Sequence, residues 1–158
     1  RDRIPGAALR TQFIVGYPGE TEAHFEELLQ FVEKTRFDRV GCFMYSQEEN
    51  TKAGDLPGQV DEATKQRRHD TLMELQQEIS REKHRALIGQ TMQVLVEGVS
   101  EETELLLVGR NSQQAPDIDG VTYINDGEAK IGDLVQVRIE DAMDYDLIGG
   151  IVGSGVTQ

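Results

Sequence analysis

Tryptophan is absent from this 158-residue sequence, and cysteine occurs once, at Cys42. A single cysteine excludes an internal disulfide framework and a cysteine-built metal site within one chain. No apolar run reaches the roughly 20 residues a bilayer-spanning helix needs. The first residues, RDRIPGAALRTQ, carry charge but no apolar stretch of signal-peptide length. These absences place the expected protein in the cytoplasm, with no membrane association. The three histidines, His24, His69 and His84, are too far apart in sequence to make a local metal motif. Each falls on an expected helix, where a solvated or half-buried role is the default.

Basic residues are scarce in the second half. From Ala86 onward only Arg110, Lys130 and Arg138 are basic, against 13 Asp and Glu, a net of 3 − 13 = −10 out of −13 for the chain. Such a surface repels phosphate backbones and would attract a basic protein surface; the alternative is that it simply keeps the domain soluble. The apolar share of 37% and charged share of 28% suit a folded globular chain rather than a disordered one.

The first 60 residues read as one βαβ unit. Leu9 to Val15 form an apolar strand. Pro18 and Gly19 make a turn, and Thr21 is placed to cap a helix, with His24 at its third position. Phe25, Leu28, Leu29 and Val32 recur at three- and four-residue spacing, giving an amphipathic helix from about Glu22 to Thr35. A second strand runs from Arg39 to Tyr45, parallel to the first. Cys42 reads as a small buried side chain of that strand. Two parallel strands need neighbours on both sides, so further strands are expected upstream. Residues 46–60 read as a loop over the end of the sheet. A long charged helix then runs from Asp61 to about Leu87, with Leu72, Leu75, Ile79 and Leu87 as a narrow apolar stripe. At 1.5 Å per residue it would extend roughly 40 Å, suited to bridging two bodies. Beyond Gly89, five short apolar segments (91–97, 103–110, 120–125, 134–140 and 147–152) alternate with turn residues, the pattern of a small closed antiparallel barrel.

Three stretches together resemble a known family: TQFIVGYPGETEAHFEELLQFV (11–32) with FDRVGCFMYSQEENTKAGDLPGQV (37–60), RRHDTLMELQQEISREKHRALIGQ (67–90), and GRNSQQAPDIDGVTYIND (109–126) with GDLVQVRIEDAMDYDLIGGIV (132–152). They look like the C-terminal part of a radical S-adenosylmethionine methylthiotransferase with its TRAM domain. The closer branch modifies an aspartate of a ribosomal protein; a sibling branch acts on adenosine of transfer RNA. The resemblance implies an α/β plus β fold. Residues 1–60 would be the C-terminal fragment of a radical SAM partial (β/α) barrel. Residues 61–88 would be a connecting helix and 89–158 a five-stranded, OB-like TRAM β-barrel. It implies S-adenosylmethionine and two 4Fe-4S clusters in the complete enzyme, with none bound to this stretch, and a methylthio group installed on the aspartate β-carbon. One cysteine cannot ligate either cluster, so no residue here is assigned as catalytic.

By the same resemblance, Gly16, Tyr17, Pro18, Gly19 and Glu20 line the S-adenosylmethionine pocket at a strand end. Gly16 would leave room for a flat ring, and Glu20 would contact the cofactor or favour the helix start. Phe43 and Tyr45, two apart on the second strand, share a face and could flank an adenine. In the barrel, Asp117, Asp119, Asp141, Asp144 and Asp146 form a candidate docking face for a basic small-subunit ribosomal protein, with weak or no nucleic-acid binding. A transfer-RNA enzyme with an RNA-binding barrel and a non-enzymatic adaptor are the alternative readings. Dimerisation or segment exchange through exposed strand edges is a further expectation.

Overall fold

Local periodicity sets the element boundaries. The computed structural model describes residues 4, 6–101, 103 and 105–153. In chain order it holds β1 (Arg10–Val15), α1 (Glu22–Thr35), β2 (Arg39–Met44), α2 (Glu62–Arg85), β3 (Thr91–Val99), β4 (Leu107–Asn111), β5 (Thr122–Asp126), β6 (Leu134–Ala142) and β7 (Leu147–Ile151). These fall into two units, Arg1–Ile79 and Ser80–Gln158. The start of the N-terminal stretch (1–3 and 5), Glu104 of the expected 103–110 strand, and 154–158 of the expected barrel lie outside the described residues. Among the described residues, no helix is long and apolar enough to cross a membrane.

In the first unit β1 and β2 pair in parallel, with Ile14 opposite Phe43. Alternation along the strands separates the two faces. Val15 and Cys42 join Phe25 and Val32 of α1, and Leu72 and Ile79 of α2, in one buried cluster. The opposite face carries Ile14 and Phe43, which are 61% and 54% exposed. Helix α1 starts in a reciprocal cap. The Thr21 hydroxyl accepts from the His24 amide, and His24 Nδ1 accepts from the Thr21 amide, each at 3.3 Å. That arrangement satisfies two of the helix's orphan donors. The helix ends at Arg36, whose left-handed φ of 50° lets its amide reach the Val32 carbonyl at 2.8 Å.

The second unit is a closed barrel in the order β3-β4-β5-β7-β6. Four pairings are antiparallel, but β5 and β7 run parallel, with Thr122 opposite Leu147. The all-antiparallel expectation is therefore corrected at one seam. Five strands in this order close as an OB-like Greek-key barrel, in which one pair must run the same way. Val94, Val96, Ile124, Val135, Val137, Ile139 and Leu147 fill the interior. A fully buried side chain of this size contributes about 1.5–3 kcal/mol. The last turns of α2 belong to this unit. The Ser80 hydroxyl donates to the Asp144 carbonyl at 2.7 Å, and Arg81 grips the Asp144 carboxylate at 2.7 and 3.1 Å. His84 lies 3.2 Å from the Met143 carbonyl. At 5% exposure His84 is buried, unlike the solvated or half-buried histidine expected there.

Candidate functional site

The turn after β1 requires glycine at two places. Gly16 and Gly19 have φ of 77° and 83°, a region side chains rarely enter. A Cβ on Gly16 would also meet Lys65 Cγ at 2.3 Å. The space that glycine leaves is thus filled by the lysine stem from α2, not held open for a flat ring. Pro18 is buried. The Gly19 amide donates to the Gly58 carbonyl at 2.9 Å, so the loop before α2 closes over the turn.

Glu20 holds the turn together. One carboxylate oxygen accepts from the Gly16 amide at 3.0 Å and from Arg68 at 2.7 Å. Arg68 also donates to the Glu20 carbonyl and to Glu22, and its guanidinium stands 5.6 Å from the centre of the Phe25 ring. The Arg68 and Glu20 side chains are only 4% and 15% exposed. Burial at this level makes the pair dependent on both members, because either charge alone would be left desolvated. Outside it, Arg67 makes two contacts to Glu22, at 3.1 and 2.8 Å. Its hydrogen bonding holds the Glu22 carboxyl below the usual range. Lys65 and Arg68 were not singled out from the sequence. Both come from a helix more than 40 residues downstream, and the only local signal was a basic cluster opposite acidic residues.

Tyr17 and Tyr45 meet edge to face at 5.5 Å between ring centres. The Lys65 ammonium lies 5.5 Å from the Tyr45 ring centre and pairs with Glu62 at 2.7 Å. The Tyr45 hydroxyl is buried without a hydrogen-bond partner among the described residues. A buried orphan donor of this kind is uncommon and fits a site completed by another group. Phe43 stands on the open face one residue-pair back, beside Gly41. The structure therefore brings Gly16, Tyr17, Glu20 and Tyr45 together at one strand end, with Phe43 on the adjoining open face. Among the described residues, no group of three or more His, Cys, Asp or Glu is placed to hold a metal ion.

The five barrel aspartates divide by the work they do. Asp119 accepts from the Ala115 amide and Asp146 from the Val121 amide, both at 2.7 Å. Asp144 is held by Arg81. Asp141 accepts from its neighbouring amide of Ala142 at 2.8 Å and remains exposed. Asp117, exposed and left-handed at φ 62°, sits at the tip of the β4–β5 connection. The connection is anchored from inside by Asn111, Gln114 and Thr122, all buried. The Asn111 backbone amide and the Thr122 hydroxyl both donate to the Gln114 side-chain oxygen Oε1, at 3.0 and 2.9 Å. That polar trio was also not singled out from the sequence, where it reads as an ordinary loop.

A closed five-stranded barrel of this order, with one parallel pair, is of the OB-like class of small barrels. Residues 88–152 match the family model of the TRAM domain. Beyond the barrel, the chain matches ribosomal protein uS12 methylthiotransferases named RimO. It is 64% identical to that of Bdellovibrio bacteriovorus over 152 residues, covering 96% of this chain and 33% of the relative. The corresponding proteins of Anaeromyxobacter sp. (strain K) and Geobacter sulfurreducens are 59% and 56% identical over 96% of the chain, which covers 32% and 34% of their lengths. The chain spans about a third of the length of the curated relatives it matches.

Proposed function

We propose that this chain is a C-terminal part of a methylthiotransferase acting on ribosomal protein uS12. The observation that carries the reading is 64% identity to a uS12 methylthiotransferase through both units. The target is the β-carbon of an aspartate, as the sequence resemblance implies. Residues 1–60 are read as the end of the radical SAM domain, 61–88 as the connecting helix and 89–158 as the barrel that recognises the protein substrate.

Bound in the complete enzyme, S-adenosylmethionine would supply the radical chemistry for hydrogen removal at the target carbon. Of this chain, Tyr17, Phe43 and Tyr45 would flank its adenine, which the open sheet face and the orphan Tyr45 hydroxyl support. Gly16, Pro18, Gly19 and Glu20 would shape the wall behind it. Gly16 does so by admitting Lys65, and Glu20 by tying the turn to Arg68. Two 4Fe-4S clusters do not fit these residues, since a cluster takes several thiolates and the sequence has one. The chain alone is accordingly expected to be inactive. In the barrel, Asp117 and Asp141 are the outward members of the proposed docking set. Asp119, Asp144 and Asp146 would act chiefly by shaping the loops that present it.

The test is a graft. Replacing the matching segment of the Bdellovibrio relative with this chain, then reconstituting anaerobically, should give an enzyme that adds one methylthio group to uS12, read by mass spectrometry. A well-folded graft that modifies transfer RNA and leaves uS12 unchanged would overturn the reading.

A further inference from the structure

The outer surface of the barrel holds a groove that none of the expected docking residues lines. Its volume is about 440 Å³, and Glu97, Gly98, Val99, Ser100, Glu101, Val108, Val121 and Tyr123 surround it. The register explains the floor. Gly98 of β3 lies opposite Val108 of β4, which lies opposite Tyr123 of β5. Thr122 and Ile124 are buried, so the intervening Tyr123 points outward. A Cβ on Gly98 would touch nothing within 4 Å, which leaves the floor open at its centre. Val99 adds apolar surface at 51% exposure. A bulge at Glu97, where the β3–β4 register shifts between Val96 and Gly98, turns that carboxylate to the rim, as bulges commonly do. Glu101 stands exposed at the other edge.

We propose that this groove receives a lysine or arginine side chain of a basic protein. Its aliphatic stem would lie on Val99, Val108 and the Tyr123 ring, and its charge would reach the Glu101 carboxylate at the rim. Long basic side chains have this two-part chemistry, an apolar stem and a charged head, and the head also favours an aromatic face. A nucleotide fits less well. Its base could stack on Tyr123, but its phosphates would face Glu97 and Glu101 in a segment of net −10. The nearby cation, Arg110, is already paired with Glu97 at 2.6 Å. Nucleic-acid binding draws its affinity from clustered free cations. The inference rests on the uS12 reading and narrows it to one surface.

The test titrates the whole 158-residue chain with purified uS12 and follows both affinity and amide shifts. Glu101→Lys reverses the rim charge, and Glu128→Lys makes the same change on an exposed β5–β6 turn residue that does not line the groove. Glu101→Lys should weaken binding about tenfold more than Glu128→Lys. In the unaltered chain, shifts should centre on Gly98, Val99, Val108 and Tyr123. Equal weakening by both changes, with shifts elsewhere on the barrel, would overturn the groove while uS12 docking stands. No uS12 binding by the unaltered chain would overturn both. A single-stranded RNA oligonucleotide that shifts the same amides and displaces uS12 would overturn the assigned partner class.

Discussion

Two buried side chains in the first unit lead to opposite predictions about charge. Burial first, then the fields of Glu20 and Asp70, pushes the Cys42 thiol from 9.0 up to about 11. The thiolate is the reactive form, so Cys42 should resist a disulfide reagent at about pH 8 and react stoichiometrically only once denaturant is added. The linkage has a definite sign. The folded state keeps a proton that the unfolded chain releases, so this contribution is full below 9.0 and is lost as pH rises toward about 11. Denaturation curves should show that alkaline loss in the unaltered chain and a smaller one in Cys42→Ala. Arg68 is the reverse case, a charge held in place by its partner. Arg68→Met would leave Glu20 desolvated beside the turn, and removing one member of a buried pair costs about 3 kcal/mol. Calorimetry should show a marked drop in the melting temperature of the first unit. Arg67→Met, at an exposed pair, should barely move it.

Among the elements, the barrel glycines set hard limits. A Cβ at Gly149 would lie 2.1 Å from the Arg138 carbonyl oxygen, and one at Gly109 would lie 2.3 Å from that of Leu95. Backbone cannot yield as a flexible side chain can. Gly149→Ala should therefore destabilise the barrel by about 1–3 kcal/mol, whereas Gly98→Ala, facing open space, should be far milder. Urea denaturation of the two variants checks this. The strands and helices themselves were legible because their signals are local. The expected helix at Asp61 to Leu87 is found at Glu62–Arg85, and the expected strand at Arg39 to Tyr45 is found at Arg39–Met44. The Thr21–His24 cap was readable from spacing alone. The parallel β5–β7 seam was not, because nothing in LIGGIV states which neighbour it will meet. Nor was the filling of the Gly16 space by Lys65, which depends on a contact 49 residues apart. A glycine in a strand-end turn reads the same whether a ligand or a neighbouring helix lies over it.

For the molecule as a whole, the two units should differ in independence. The barrel pairs every strand on both sides, while β1 and β2 form a sheet of two, and an isolated pair of strands is marginal at best. Residues 80–158 are expected to unfold cooperatively on their own. A shorter piece beginning at residue 90 should melt several degrees lower, having lost Ser80, Arg81 and His84 from the Met143–Asp144 turn and Leu87 from the barrel cluster. Thermal unfolding followed by circular dichroism compares the two. A higher melting temperature for the shorter piece would contradict the contribution assigned to those contacts.

The grip of Arg81 and Ser80 on Asp144 also bears on how such barrels can be exchanged in evolution. A recombination point placed at the first barrel strand would deliver a turn whose aspartate has no counterpart in the new host helix. A crossover near residue 80 would carry acid, arginine and serine as one inherited block. Lineages that trade this barrel between enzymes should therefore keep the end of the helix with the barrel it serves, and the seam between old and new sequence should fall inside the helix rather than after it.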